Sequence, residues 1–419
     1  MNLRHLCLTT SLILCLSLAS AHAQQWNSYR GPNRDGTVTS DLALSGKLKV
    51  HWKVTANLGF SSFSLAQNKA LTLVSENDQE VCIALDSATG LELWRTKLGS
   101  NKYDGGGAAG AKGNKGGDGP RSTPSINDGM VYVYDAHMNL VCLELETGNE
   151  VWRHNIKTEF KGKNIKWQNA ISPVVDDARV YVCGGGVKQS MLAFDKKSGD
   201  VVWKHGNETM THATPTLTSI DGQPQIIFFM QSGMIALNPE DGKELWRNEF
   251  DYRTSTAASP VVFDNHVYGS AGYGVGAKLF KVENNQSELL WKKPNRLMNH
   301  WSTPVYHEGH LYGMFSFKKY GRGPMQCVDP LSGEIKWSQR NFGPGNCTLV
   351  NDKLVALSDA GELVIVEASP DKYAELSRNK VLEGKCWSTP SIHEGKIYLR
   401  STTEAVSYTH LTLPTIYSV

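Results

Sequence analysis

The chain carries no surplus of charge of either sign: its 43 Lys and Arg stand against 41 Asp and Glu, a formal net charge of +2 over 419 residues. Basic runs are missing as well, so nothing supplies the field that draws nucleic acid. Long hydrophobic runs are also absent. The one apolar stretch, "LCLTTSLILCLSLAS" (6–20), is too short and too interrupted to span a bilayer. Cysteine is present but unpatterned. None of the eight is adjacent to another, no C-x-x-C occurs, and no His/Cys cluster has the spacing of a metal site.

That apolar stretch has a different use. Arg4 precedes it and "AHA" (Ala21–Ala23) follows, which is the pattern of a cleaved signal peptide over 1–23 and of an exported, periplasmic chain. Cys15 follows Leu14 rather than a small residue, which favours cleavage over lipidation. Six cysteines then remain. Cys82, Cys142 and Cys327 fall at or beside a place in the sequence pattern where Ala193 or Ala236 stands elsewhere. The reading is small buried apolar residues, not disulfides.

What the chain does have is glycine (39) and tryptophan (11), and both recur on a beat. "ALDSATGLELW" (84–94) returns as "CLELETGNEVW" (142–152), "AFDKKSGDVVW" (193–203), "ALNPEDGKELW" (236–246) and "CVDPLSGEIKW" (327–337). With Trp291 the indoles stand 58, 51, 43, 45 and 46 residues apart. Upstream of each lies a second signature, as in "STPSINDGMVYVY" (122–134) and "STPSIHEGKIYLR" (388–400), and two weaker copies bring the total to eight. Each unit reads as four strands. The Asp and Gly close the outer hairpin, and Pro is tolerated because it opens the first strand. Repeats of this length and content predict an all-β, eight-bladed β-propeller of four-stranded antiparallel blades.

Trp94, Trp152, Trp203, Trp246, Trp291 and Trp337 would each fill the wedge between neighbouring blades, their N–H free to reach a carbonyl. Trp52, in "LKVHWKV" (48–54), sits on an early strand with no unit of its own, while the last unit has no Trp. The N-terminal strand is therefore expected to complete the last blade and remove an open edge. The propeller is expected to occupy 24–405. "VSYTHLTLPTIYSV" (406–419) breaks the repeat and back-translates to an in-frame sequencing adapter, so it is expected not to be native sequence.

The Ala-x-Asp-x-x-Thr-Gly-x-x-x-Trp pattern resembles the tryptophan-docking repeat of quinoprotein-type, PQQ-like propellers. "WNSYRGPNRDG" (26–36), "GDGPRSTP" (117–124), "SAGYGVGAKLFKV" (270–282) and "GKCWSTPSI" (384–392) look like the exported PQQ-binding-like propellers of planctomycete and verrucomicrobial bacteria. The resemblance covers about 26–405. It implies kinship with the outer-membrane assembly protein BamB and, more distantly, with PQQ alcohol dehydrogenases. Unit five ("KVENNQSELLW") lacks the Asp and Gly, and unit seven ("IVEASPDKYAEL") lacks the Trp, which is expected to loosen two blade junctions.

Quinoprotein dehydrogenases need an adjacent-cysteine disulfide, a Ca²⁺ held by acidic and amide side chains, and an Asp base. No Cys-Cys and no matching Glu…Asn…Asp set is present, so no catalytic residue, no metal and no PQQ cofactor are expected. The Gly-rich "GGGAAGAKGNKGGDG" (105–119) lacks the Gly-Lys-Ser/Thr of a phosphate loop and reads as a surface insertion. His307 and His393 read as exposed turn residues. The best ligand candidates lie at the starts of the innermost strands, around one mouth of the channel: Arg121, Asn169, His212, Trp301, Asn346 and Trp387, with Trp167 and His300 beside them. Packing between blades is the competing use for Trp301 and Trp387. The expected function is a non-catalytic binding or scaffold module of the cell envelope, acting as a monomer; the alternative is a small-molecule binding protein or quinoprotein-like oxidoreductase that uses the channel mouth. Its partner would be an envelope protein or a small polar ligand such as a quinone or carbohydrate.

Overall fold

The computed structural model describes residues 25–44, 47–103, 119–250, 252, 255–315 and 323–411. The signal-peptide segment, most of the Gly-rich insertion and 412–419 lie outside the described residues. Among the described residues the strands form eight antiparallel four-stranded sheets, apart from one added parallel strand, and the helix content is one short turn, Ile156–Glu159. This is the eight-bladed propeller that the repeat predicts. Blade 1 is Ser64–Ala66, Lys69–Glu76, Gln79–Asp86 and Glu92–Ser100, and blades 2 to 7 follow in chain order. Blade 8 combines Ser391–His393, Lys396–Arg400 and Glu404–Leu411 with Lys47–Thr55 as its outermost strand. The N-terminal strand thus closes the ring as expected. Residues 406–411, set outside the repeat by the sequence pattern, occupy the third-strand position, with Val406 and Tyr408 buried.

The Asp-x-x-Thr-Gly turn has a defined geometry. Asp86 Oδ1 accepts from the backbone of Ala88 (3.1 Å) and Thr89 (2.8 Å), and Gly90 takes φ = +75°. The glycine also has a second constraint. A Cβ on Gly90, Gly148, Gly199 or Gly242 would lie 2.5–2.9 Å from the ring of Trp52, Trp94, Trp152 or Trp203, each from the preceding blade. At these four junctions the indole lies on the turn glycine of the next blade. The indole N–H donates to a carbonyl just after the turn aspartate or its equivalent: Trp52 to Ser87 (2.9 Å), Trp94 to Leu145 (3.0 Å), Trp152 to Lys196 (3.1 Å), Trp203 to Pro239 (2.9 Å), Trp291 to Pro330 (3.0 Å) and Trp337 to Ser369 (2.7 Å). Opposite Trp94, Trp152, Trp203, Trp246 and Trp337 stand Ala84, Cys142, Ala193, Ala236 and Cys327, small enough to admit the ring.

Two junctions depart from this pattern. Blade 5 lacks the Asp and Gly, so Trp246 turns its N–H to Gln225 of its own blade (2.6 Å). Blade 7 has no Trp, and Tyr408 of blade 8 instead reaches back to Val381 O (2.9 Å). All six described cysteines are free and buried, and burial pushes each thiol above its usual pKa, so the reactive thiolate is scarce.

Hydroxyls next to the prolines join the blades at the channel wall. The backbone N–H of Ser62 donates to Thr123 Oγ1 (3.1 Å), that of Thr123 to Ser172 Oγ (2.8 Å), and that of Ser172 to Thr214 Oγ1 (3.0 Å). The same bond recurs from Ser259 to Thr303 and from Thr389 to Ser62. One step further along, Ser125 Oγ donates to Pro173 O (2.6 Å), Thr216 Oγ1 to Pro260 O (2.8 Å) and Ser391 Oγ to Phe63 O (2.8 Å). Proline cannot donate, but its carbonyl accepts from the neighbouring blade.

The segment 25–38 crosses the far end of the channel. It accepts from Leu65 of blade 1 at Trp26 O and from Ile126 of blade 2 at Asn27 O (both 2.7 Å). Arg30 donates to Thr303 O (2.7 Å) and Pro304 O (2.9 Å) of blade 6, Arg34 to Val175 O of blade 3, and Thr37–Val38 pairs in parallel with Leu349–Val350 of blade 7. The segment thus spans that end of the channel from blade to blade.

Gly129 and Gly148 separate backbone strain from indole contact. Both have positive φ (75° and 72°), but a Cβ on Gly129 meets nothing within 4 Å, whereas one on Gly148 would sit 2.5 Å from Trp94. Gly129→Ala is expected to cost about 1 kcal/mol and Gly148→Ala about 2–4 kcal/mol, the difference being overpacking. Urea unfolding of both variants measures this; equal losses would remove the indole from the argument.

Candidate functional site

The innermost strands run in the same sense down the channel, so period two decides which side chains line it. Counting back two residues from the Ser/Thr before each Pro, or its equivalent, gives Phe60, Arg121, Ala170, His212, Ala257, Trp301 and Trp387. These form one layer of a cavity of about 550 Å³. Below them come Ser62, Thr123, Thr214, Asn346 and Thr389, and Tyr29 of the crossing segment reaches in from beneath. Arg121, His212, Trp301, Asn346 and Trp387 of the eight candidates meet here.

The other three do not line this cavity. Asn169 is one residue out of phase: it is three before Ser172, so it faces away and Ala170 takes its place. Its buried carboxamide is spent on Tyr134 O and Asp135 O (both 3.1 Å) and on Ile171 N (3.0 Å). His300 is out of phase in the same way and lines a smaller neighbouring pocket with Met314 and Phe315. Trp167 sits behind the wall, where its carbonyl accepts from Arg121 (3.0 Å) and its ring lies 6.3 Å from that of His212. His393 also differs from expectation. It ends an innermost strand and is buried against blade 1, its Nε2 3.4 Å from Gln67 O.

The cavity has two unlike sides. On one, Phe60 stacks on Trp387 (4.9 Å, 29°), and Trp387 leans on Trp301 (5.2 Å, 36°), so blades 1, 8 and 6 present a connected aromatic wall. The Arg121 guanidinium lies 5.6 Å from the Phe60 ring centroid and 4.7 Å from that of Tyr103, to whose hydroxyl it also bonds. Across from the wall, Ala170 and Ala257 leave space. Asn346 is oriented by its bond to Trp387 O (2.7 Å). His212 is nearly enclosed, with Nδ1 2.7 Å from Ser255 Oγ. Burial, with Arg121 and His300 nearby, pulls its pKa down to about 3, so the ring is neutral near pH 7. The lining is therefore aromatic, hydroxylic and cationic, with no carboxylate among the described lining residues.

That donor set does not fit the Ca²⁺–quinone arrangement. A hard cation takes carboxylate and carbonyl oxygens, and the cavity offers an arginine and a neutral histidine instead. Among the described residues no group of three His, Cys, Asp or Glu could hold a metal ion.

A buried carboxyl pair behind the wall escaped the sequence reading. Glu80 of blade 1 is fully buried and accepts from Ala136 N of blade 2 (3.0 Å). Asp135 accepts from the backbone of His137 (2.9 Å) and Asn139 (2.8 Å) and from Asn139 Nδ2 (2.7 Å). Burial, and then Asp135, push Glu80 well above the carboxylate range, so Glu80 keeps its proton. The signal was a Glu beside the start of a strand whose next five residues are apolar. Tyr29 was missed because its segment lies outside the repeat.

Residues 49–314 match the family described as "Outer membrane protein assembly factor BamB". The chain belongs to that family. The chain is 24% identical over 246 residues to the tetrathionate hydrolase of Acidithiobacillus ferrooxidans, covering 59% of this chain and 42% of that protein. It is 22% identical over 256 residues to the BamB of Moranella endobia, covering 58% of this chain and 63% of that one. The chain thus spans less than two thirds of the length of these curated relatives. The quinohemoprotein alcohol dehydrogenase of Comamonas testosteroni superposes with a TM-score of 0.66 at 12% identity, over 94% of this chain and 82% of that one, which shows a shared fold. Among the described residues no helix is long and apolar enough to cross a membrane.

His212 supplies a pH test. Its folded-state pKa lies below the unfolded value, so its contribution to stability is present above about pH 6.5 and is lost as pH falls towards its folded value. From pH 6.5 to 4.5 the slope from this one group is up to about 1.4 kcal/mol per pH unit. His212→Gln is expected to flatten the urea-stability profile over that range; a variant profile parallel to the parent's would show that His212 protonates freely.

Proposed function

We propose that this BamB-family chain is an exported, non-catalytic binding module whose ligand site is the channel mouth. The observation that carries the reading is the convergence of Arg121, His212, Trp301, Asn346 and Trp387 on one cavity that is closed beneath by the segment around Tyr29. Aromatic faces offer stacking surface, and Arg121 and Asn346 offer directional polar contacts, which suits a flat ring bearing polar or anionic groups. His212, with its pKa pulled down to about 3, is a weak base, and the described lining residues include no carboxylate, so binding without turnover is the better fit.

A scaffold role in the envelope is the second reading, and it rests on the family match over 49–314 and on the blade rims. The outermost strands expose Leu93, Val151, Val202, Leu290 and Leu376 at 41–46%. Such edges could accept an extended partner segment.

The test is tryptophan fluorescence titration with planar quinones, PQQ and oligosaccharides, with Trp387→Phe and Arg121→Gln as controls. Saturable quenching weakened about tenfold in Arg121→Gln, the loss of one charge-assisted contact, is the expected result. Dye-linked alcohol oxidation with PQQ and Ca²⁺ is expected to be absent, and robust turnover would overturn the non-catalytic reading. If no ligand binds while envelope extracts yield a specific partner, the scaffold reading takes precedence.

A further inference from the structure

The crossing segment does more than floor the channel. On its outer side, between it and the innermost strands of blades 4, 5 and 6, lies a second cavity of about 620 Å³. Arg30 and Arg34 line it together with Asn33, Asp35, Thr216, Thr218 and Tyr306.

The two guanidiniums are not neutralised by ion pairs. Among the described residues neither makes a salt bridge to a carboxylate. Arg30, 3% exposed, donates to three backbone carbonyls: Thr303 O (2.7 Å), Pro304 O (2.9 Å) and Asp35 O (2.5 Å). A guanidinium has five donors, so two are left. Arg34 donates from Nη2 to Val175 O, while its Nε is buried with no partner. Of the carboxylates nearby, Asp35 is an exposed lining residue with one oxygen engaged locally, and Asp176 is engaged by its own turn. Asp35 Oδ1 accepts from Thr37 N (2.8 Å) and Thr37 Oγ1 (2.9 Å). Asp176 accepts from Ala178 N (2.8 Å), Arg179 N (2.6 Å) and the Tyr181 hydroxyl (2.5 Å). Both arginines also sit at positive φ, 64° and 62°, which L-residues other than Asn and Asp rarely adopt. The fold thus holds two cations in an unfavourable backbone conformation beside a polar cavity.

We propose that this cavity is a second binding site, on the face opposite the aromatic mouth, for a small oxyanion. Arg30 supplies fixed positive charge, Arg34 supplies an unused N–H, and Thr218 supplies a hydroxyl at the rim. Burying a cation without an ion pair is costly, and an oxyanion accepting from both forks offsets that cost. The site is independent of the channel mouth, since the segment 25–38 separates the two.

The experiment titrates the full chain with inorganic phosphate, and separately with acetate, at constant ionic strength set by chloride. The readouts are calorimetry and the shift in Tm. A saturable rise in Tm with phosphate is expected, and a response to acetate as well would assign the shared carboxylate–phosphate chemistry rather than phosphate alone. Arg34→Gln is expected to weaken binding at least about tenfold, and Thr218→Val by about threefold, by loss of one charge-assisted and one neutral contact respectively. Arg378→Gln, a rim arginine paired with Glu362 and Glu375, is expected to bind as the parent does. The proposal is overturned if phosphate acts no differently from chloride, or if Arg34→Gln binds as the parent does. Should Arg34→Gln fail to fold, Thr218→Val carries the test, and unchanged affinity in it overturns the proposal.

Discussion

The structure depends on an indole laid across a glycine. Each docking Trp needs three things at once: a flat acceptor surface, a carbonyl at the right height, and room opposite in its own sheet. Gly148 supplies the first for Trp94, Leu145 O the second, and Ala84 the third. The turn glycine is therefore fixed twice, by positive φ and by the ring above it. Tyrosines reinforce the contact. Tyr132 and Trp152 share the Lys196 carbonyl, Tyr181 and Trp203 share that of Pro239, and Tyr398 and Trp52 share that of Ser87. Truncating a packed indole costs about 3–5 kcal/mol, far more than the roughly 1 kcal/mol of its hydrogen bond. The apolar wedge thus holds blades together, and the N–H sets the angle at which they meet.

A wheel built this way must be closed, and the chain uses its N-terminus twice to do so. Lys47–Thr55 completes blade 8 and sends Trp52 into the turn of blade 1. The segment before it ties blades 1, 2, 3, 6 and 7 across the channel. At the closing junction Arg400 is buried and donates to Leu73 O (2.6 Å), Thr72 Oγ1 (2.9 Å) and Asn57 O (2.8 Å). Arg30 is held in the same manner. In both places a guanidinium gathers several carbonyls from separate segments, a task for which its planar fork of five donors is suited.

The fold was legible because it is written eight times. Trp spacing, the Asp-x-x-Thr-Gly turn and the Ser/Thr-Pro strand start each repeat, and even the two defective units forecast the junctions that depart from the pattern, at Trp246 and at blade 7. The site was legible less well, and for a definite reason. A strand start is uncertain by one residue, and one residue reverses the face. Asn169 was placed on the wall by that slip, while Ala170 and Phe60 were passed over. Ser and Thr before proline were read only as marking a strand start, although their hydroxyls join blades. The crossing segment could not be read at all from periodicity, because it occurs once.

The same contrast explains where function can reside. Positions that serve blade docking are constrained alike in all but two of the junctions, so they carry structure and little individuality. The layer two residues before the Ser/Thr-Pro is not bound by that rule. It holds Phe60, Arg121, Ala170, His212, Ala257, Trp301 and Trp387, seven positions with few side chains in common. Large rings cluster on blades 6, 8 and 1, and alanines open blades 3 and 5. An eightfold scaffold thereby acquires a lopsided cavity, with stacking surface on one side and space on the other. Symmetry in the docking residues is what permits asymmetry there, because no residue of that layer is needed to set the angle between blades.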